Sequence, residues 1–438
     1  MQSDTQVSAA AANPGRRTGL LHNRVFLRLW GSFTITHFGE QITSLALPLT
    51  AALVLKATPI QMGVLIALEA LPFTLFGLFA GVIVDRYRKL PIMVWADCGR
   101  GLVLLLVPAC AWLGWLSMPV LYVVGFLVGV GGVLGWPAYQ VFLTERVGRG
   151  NLVEANAKMA VSDSASQLVG PGVAGALVQW LTAPFAILAD GIAFFCSALL
   201  LRSIGPAASD APKHTGEHVW ADIREGLQAI WQNRILRSLA WALAAWQIFR
   251  FAYLAVVVLF ATRTLGFSPA LIGVVFMTAG IGSLAAAWAV APLNRRYGVG
   301  PTMLAGMLGS GIGWTVIGLA AGPWLTAALI FGLGLFLLDL SAMVFFINYL
   351  VLRQSVTHDR LLGRVTATMI CLTVSTAPFG GVAGGWIAEH AGLRATVLLA
   401  GLGAIALAPL VAWLSPLAQL RSISELGQDQ LQPGVNQP

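Results

Sequence analysis

The sequence predicts an all-α membrane protein with twelve transmembrane helices in two pseudo-symmetric six-helix bundles. Four observations carry that expectation. The 438-residue chain is 57% hydrophobic and only 10% charged, with a mean hydropathy of +0.79, too little charge to cover a water-soluble surface of this size. Apolar runs of about 20 residues, the length a helix needs to cross ~30 Å of hydrocarbon, recur along most of the chain. These runs are continuous rather than alternating, which favours helices over a membrane barrel. Short motifs also repeat at an offset of about 209–210 residues, which argues for two duplicated halves.

In order, the spans fall at about 26–54, 61–84, 91–113, 119–143, 155–179, 184–201, 236–261, 269–293, 301–321, 325–352, 365–388 and 393–414. Residues 1–23 are polar, rich in Ala and Ser, and lack the short apolar core and cleavage site of a secretory signal, so they read as a disordered cytoplasmic N-terminus. Residues 24–202 form the first bundle and 236–415 the second, with a disordered cytoplasmic tail at 416–438. Between the bundles, 203–235 is a cytoplasmic linker. Its second part carries Ile223, Leu227, Ile230 and Trp231 on one stripe, with Asp222, Arg224, Glu225 and Gln228 on other faces, the pattern of an amphipathic helix lying on a membrane surface.

The +8 net charge raises the question of nucleic acid, and its placement answers it. With an even number of spans both termini share a side. That side holds 21 of the 26 Lys and Arg, the opposite side holds Lys56, Arg263 and Arg394, and Arg100 and Arg250 lie inside spans. This asymmetry is the positive-inside signal, so both termini are expected in the cytoplasm of a multi-pass inner (cytoplasmic) membrane protein, and no nucleic-acid partner is needed. Trp30, Trp115, Trp180, Trp324 and Trp413 near span ends read as anchors at the lipid–water boundary. Cys98, Cys110, Cys196 and Cys371 fall within spans without ligand spacing and read as small buried apolar residues. No phosphate-binding loop, metal-ligand set or enzyme signature is present; the chain reads as a non-enzyme without cofactor or metal.

The charged hairpin after the second span, Gly81-Val-Ile-Val-Asp85-Arg86-Tyr-Arg88-Lys89, returns as Ala291-Pro-Leu-Asn294-Arg295-Arg-Tyr-Gly298 after the eighth. Gly172-Val-Ala-Gly175 returns as Gly381-Val-Ala-Gly384, and Asn156-Ala157 as Thr366-Ala367. Gly81, Asp85, Arg86 and Lys89 match the signature Gly-x-x-x-Asp-Arg-x-Gly-Arg-Arg; here Arg88 replaces the second Gly and Leu90 a base. On these residues the chain resembles the major facilitator superfamily over about 24–415. Ile42-Thr-Ser-Leu-Ala-Leu-Pro48, Asn151-Leu-Val-Glu-Ala-Asn-Ala157 and Arg360-Leu-Leu-Gly-Arg-Val365 resemble its branch of macrolide-efflux and enterobactin-exporter proteins. The resemblance implies a gate in which Asp85 bonds Arg86, Arg88 or a neighbouring helix N-terminus and holds the halves together while the cytoplasmic side is shut; the plainer reading is a topogenic charge cluster. Gly170-Pro171-Gly172-Val-Ala174-Gly175 partly resembles the Gly-Pro-x-x-Gly-Gly element of proton-exchanging exporters, read either as a helix bend sealing the cavity or as close packing.

Charges inside the spans carry the expected chemistry, because a carboxylate at bilayer depth must face protein, water or a partner. Glu40 lies near the middle of the first span, with Thr36, His37, Thr43 and Ser44 on its face. Asp339 is similarly placed in the tenth; the resemblance implies that both spans line a central cavity, which makes Glu40 and Asp339 the candidate proton carriers. Glu69, Asp163 and Asp190 are weaker candidates, and Asp97 reads as the structural partner of Arg100 three residues on. Arg250, mid-span in the seventh, requires a carboxylate, expected to be Asp339: either a cavity ion pair that substrate or a proton disrupts, or a permanent staple. One departure stands out. Many drug–proton antiporters of the family carry an Arg in the fourth span, where this chain has Gly125, so the usual proton relay is in question, with Arg100 a candidate stand-in.

The expected protein is a monomeric secondary transporter that exports small amphipathic molecules (a drug, natural product or siderophore) by alternating access, with H+ as the coupling ion. His37, Trp136, Tyr139, Trp246 and Tyr253 would form its substrate lining. The competing readings are a proton-coupled nutrient importer and a non-transporting membrane sensor on the same scaffold.

Overall fold

A computed structural model describes residues 20–205, 219–358 and 360–420. Of the expected terminal and linker segments, 1–19, 206–218 and 421–438 lie outside the described residues. The helices of the first half are α1 (Arg24–Leu49), α2 (Pro59–Arg86), α3 (Lys89–Trp112), α4 (Met118–Val147), α5 (Leu152–Leu181) and α6 (Ala183–Arg202). A linker helix, α7 (Val219–Gln232), follows. The second half comprises α8 (Arg234–Leu259), α9 (Pro269–Tyr297), α10 (Val299–Gly318), α11 (Trp324–Ser355), α12 (Leu362–Val374), α13 (Ala377–Ala391) and α14 (Leu393–Leu414).

These helices make the twelve expected spans, because α12 and α13 are two pieces of one. The break has a local cause: Pro378 cannot donate to the carbonyl four residues back and its ring crowds that carbonyl, and α12 stops at that residue, Val374. Among the described residues, nine stretches are long and apolar enough to cross a bilayer on composition alone. The spans that fall short, α1, α5 and α10, are diluted by polar groups or glycines where helices meet one another.

The duplication reaches individual atoms. Asn23 caps α1 by accepting from the Val25 and Phe26 amides, and Asn233 caps α8 by accepting from Ile235 and Leu236. Thr58 accepts from the Gln61 amide at the start of α2, as Ser268 does from Leu271 at the start of α9, each followed by Pro at the first helical position. A single widened π turn ends the first span at Thr50–Val54 and the seventh at Phe260–Thr264.

The halves join along two seams. In one, Cβ on Gly175 of α5 would lie 2.5 Å from the Pro269 carbonyl oxygen, and Gly273 of α9 faces the Pro171 carbonyl as closely. In its counterpart, Cβ on Gly385 of α13 would lie 2.6 Å from the Pro59 carbonyl oxygen, while Gly63 of α2 faces the Gly381 carbonyl. Only residues without side chains allow backbones to meet like this, which is the usual means of joining helices where lipid removes the hydrophobic drive between them. Both seams are tightest on the side away from the termini. There Arg263 also crosses between halves to donate to the Ala57 carbonyl at 2.8 Å. On the terminal side, α7 docks on α12 through Glu225, which pairs with Arg364 and lies 3.9 Å from Arg360. Within the linker stripe Ile230 is buried whereas Leu227 and Trp231 are exposed. Among the expected anchors, Trp115, Trp180, Trp324 and Trp413 project outward; Trp30 turns inward to donate to Ser162 Oγ at 2.9 Å.

Candidate transport site

The first bundle encloses a cavity of about 510 Å³ between α1, α2, α3, α4 and α6. Among the described residues its wall contains four carboxyl groups, Glu40, Glu69, Asp97 and Asp190, against one guanidinium, Arg100. On α1 the polar residues Ser32, Thr36, Glu40, Thr43 and Ser44 recur every three or four positions and so face one way.

Arg100 reaches across to α1, not along its own helix: Nη2 donates to Glu40 Oε1 at 2.6 Å. Its guanidinium carbon sits 4.1 Å from the centroid of the Phe194 ring, a cation–π contact from α6. Asp97 is held from α6 instead, accepting from Ser197 Oγ at 2.5 Å. Ser197 and Ser32 Oγ are 2.6 Å apart; since Ser197 gives its one proton to Asp97, Ser32 is the donor to Ser197. Asp190 is 1% exposed and abuts Gly39, whose missing side chain makes the room. Asp190 Oδ1 and the nearby Thr43 Oγ1 are both buried without a hydrogen bond of ordinary geometry. Glu69 fills the space over Gly125, where a Cβ would lie 2.9 Å from Glu69 Cγ. Gly125 therefore leaves space that an acid from α2 takes, and the guanidinium in the cavity comes from α3.

An aromatic cluster forms the wall toward the terminal side. Phe33 and His37 stack with ring centroids 3.8 Å apart, and Trp136 and Tyr139 with centroids 6.3 Å apart. His37 Nδ1 lies 3.1 Å from the Phe33 carbonyl, which can only accept, so Nδ1 carries a proton. The cavity thus combines aromatic faces with excess acid, a chemistry that suits a molecule with an apolar body and positive charge.

The second half contributes differently. Trp246 and Tyr253 are buried side chains of the α8 core and do not line the first-bundle cavity: Trp246 stacks on Phe345, lies tilted against Trp314 and donates to Ser310 Oγ at 2.8 Å, and Tyr253 packs on Trp314. Arg250 lies over the Phe251 ring at 5.5 Å, and Asp339 on α11 acts on it at longer range than a salt bridge. In the hairpin motif, Lys89 is buried and lies 3.9 Å from Glu145 at the end of α4. Arg86 is exposed, Gly81 has open space about it, and the side chain of Asp85 lies outside the described residues. Gly170 rests on the Gln41 side chain, so Gly170, Pro171 and Gly175 all belong to the α5 packing faces. The serine relay to Asp97 escaped the sequence reading, although Asp190 and Ser197, seven residues apart on α6, share a helix face and were the available signal.

The molecule is thus a duplicated twelve-span membrane bundle with a polar cavity inside its first half. The family model described as Major Facilitator Superfamily matches residues 29–377, and the chain belongs to that family. It is 28% identical to the multidrug efflux pump Tap of Mycolicibacterium fortuitum over 80% of this chain and 86% of that protein. It is 26% identical to the uncharacterized MFS-type transporter YfiS of Bacillus subtilis over 86% and 89%. The crystal structure of a point mutant of the nucleoside transporter NupG superposes with a TM-score of 0.73 at 11% identity, over 89% of this chain and 99% of that one, a likeness of fold. The chain is thus a multi-pass membrane transporter and not an enzyme.

Proposed function

We propose that the protein exports small amphipathic molecules from the cytoplasm by alternating access, in exchange for protons, and that its termini face the cytoplasm of the inner membrane. The observation that carries this reading is the acid-rich, aromatic cavity of the first bundle, with Glu40 bonded to Arg100 at its centre. Four carboxyls beside one guanidinium cannot all stay ionised cheaply in a low-dielectric site, so some hold protons until a cation replaces them. Resemblance to a multidrug efflux pump supports the direction and the cargo class. The basic side chains gathered on the terminal side support the orientation. In this reading Glu40 and Asp339 carry the exchanged protons, Glu40 taking its proton when the bond to Arg100 opens, and His37, Trp136 and Tyr139 contact the cargo. Asp339 and Arg250 form a second polar site that is engaged when the bundles rock, and one chain suffices.

The test is uptake into inverted membrane vesicles of a fluorescent lipophilic cation under an imposed pH gradient. Uptake should rise with interior acidification and collapse with a protonophore; uptake indifferent to the gradient would remove proton exchange from the account.

A further inference from the structure

We propose that a groove on the outer face of the first bundle binds the acyl chain of an anionic phospholipid from the leaflet on the terminal side. The groove, about 680 Å³, runs between α3 and α4 from the loop after α2. Its wall is apolar, with Trp95, Val103, Leu127 and Leu134 prominent, and Tyr87 and Arg88 stand at its mouth. Trp95 is 76% exposed and Tyr87 62%, in a part of the surface that a bilayer covers. From Arg88 to Arg100 the groove follows twelve residues of α3, about 18 Å at the helical rise, against about 15 Å for one leaflet of hydrocarbon. Its length therefore fits a single chain anchored at headgroup depth. The occupant's charge follows from Arg88 at the mouth: a phosphate-bearing anionic head is attracted there, and a cationic cargo is repelled.

The floor gives the site its consequence. Cβ on Gly99 would meet nothing within 4 Å, so the groove is open there, whereas the methylenes of Arg100 lie across Gly131 and close it. Arg100 lines both this groove and the acidic cavity. A chain end in the groove packs on the stem of the residue whose guanidinium holds Glu40, so lipid occupancy braces that pair from the membrane side.

The test uses the full chain in nanodiscs of phosphatidylcholine carrying a trace of phosphatidylglycerol with a photoreactive acyl chain; adducts are mapped by mass spectrometry. Adducts should concentrate on residues 95–103 and 127–134 and exceed those from a matched phosphatidylcholine probe about fivefold, the worth of one basic residue at an anionic surface. Arg88→Gln should erase that preference. Gly99→Leu, which fills open space, should deplete the adducts severalfold while leaving the melting temperature unchanged. Adducts spread evenly over the membrane-facing helices, equal labelling by the two probes, or a pattern indifferent to Gly99→Leu would overturn the site. These readouts are independent of transport, so they stand or fall separately from the export reading.

Discussion

Arg100 is the residue on which the cavity's electrostatics turn. Among the described residues of the cavity wall it is the single guanidinium beside four carboxyls, bonded to Glu40 and stacked on Phe194. Removing it leaves acids facing one another at bilayer depth, so Arg100→Gln should lower transport by at least about tenfold, measured as efflux from cells at matched expression. Arg100→Lys should restore little, because an ammonium lacks the planar fork that bonds a carboxylate while lying flat on a ring. Gly39→Ala should also cost transport, since its methyl enters the space of the Asp190 carboxylate. The polar face of α1 was legible in the sequence from its spacing. The choice of partners was not: Asp97 and Arg100 share a face of α3, but α1 and α6 meet there, and the long Arg stem goes to one while the short Asp side chain goes to the other. Arg250 and Asp339 show the same limit, because spacing says which face a charge occupies and not which neighbour crosses it.

At the scale of elements, the repeat makes each half a control for the other. Thr182, between α5 and α6, has φ 71° and ψ 158°, and its counterpart Gly392 has φ 92° and ψ 157°. That region is nearly closed to a β-branched residue, so Thr182→Gly should raise stability by about 1 kcal/mol, read as an upward shift in melting temperature. The seams should respond the opposite way. Gly175→Val drives a side chain into the Pro269 carbonyl and should destabilise by about 2 kcal/mol or more, with Gly385→Val on the other seam costing a similar amount. The helices, the hairpins and the offset were readable from hydropathy and motif. The broken eleventh span was signalled by Pro378, but the backbone contacts that join the bundles were not readable, because small residues mark a close approach without naming what approaches.

For the whole molecule, the halves are closed against one another on the side away from the termini, where both glycine seams and the Arg263–Ala57 bond lie. The cavity extends to Met93, Tyr139 and Leu201, near the terminal-side ends of α3, α4 and α6. A charged donor to a carbonyl is worth about 1.5–3 kcal/mol, so Arg263→Gln should shift the equilibrium toward opening on the far side by about tenfold. Labelling of Ala57→Cys, at a position buried in the closed state, by a membrane-impermeant maleimide should increase accordingly. The claim that unites these scales is that cargo and protons compete for the carboxyls of the first bundle. Its most direct measurement is proton release in weakly buffered detergent when the purified protein binds tetraphenylphosphonium. The account predicts release in step with binding, lost in Glu40→Gln even at saturating cation; binding of the cation with no proton released would contradict it.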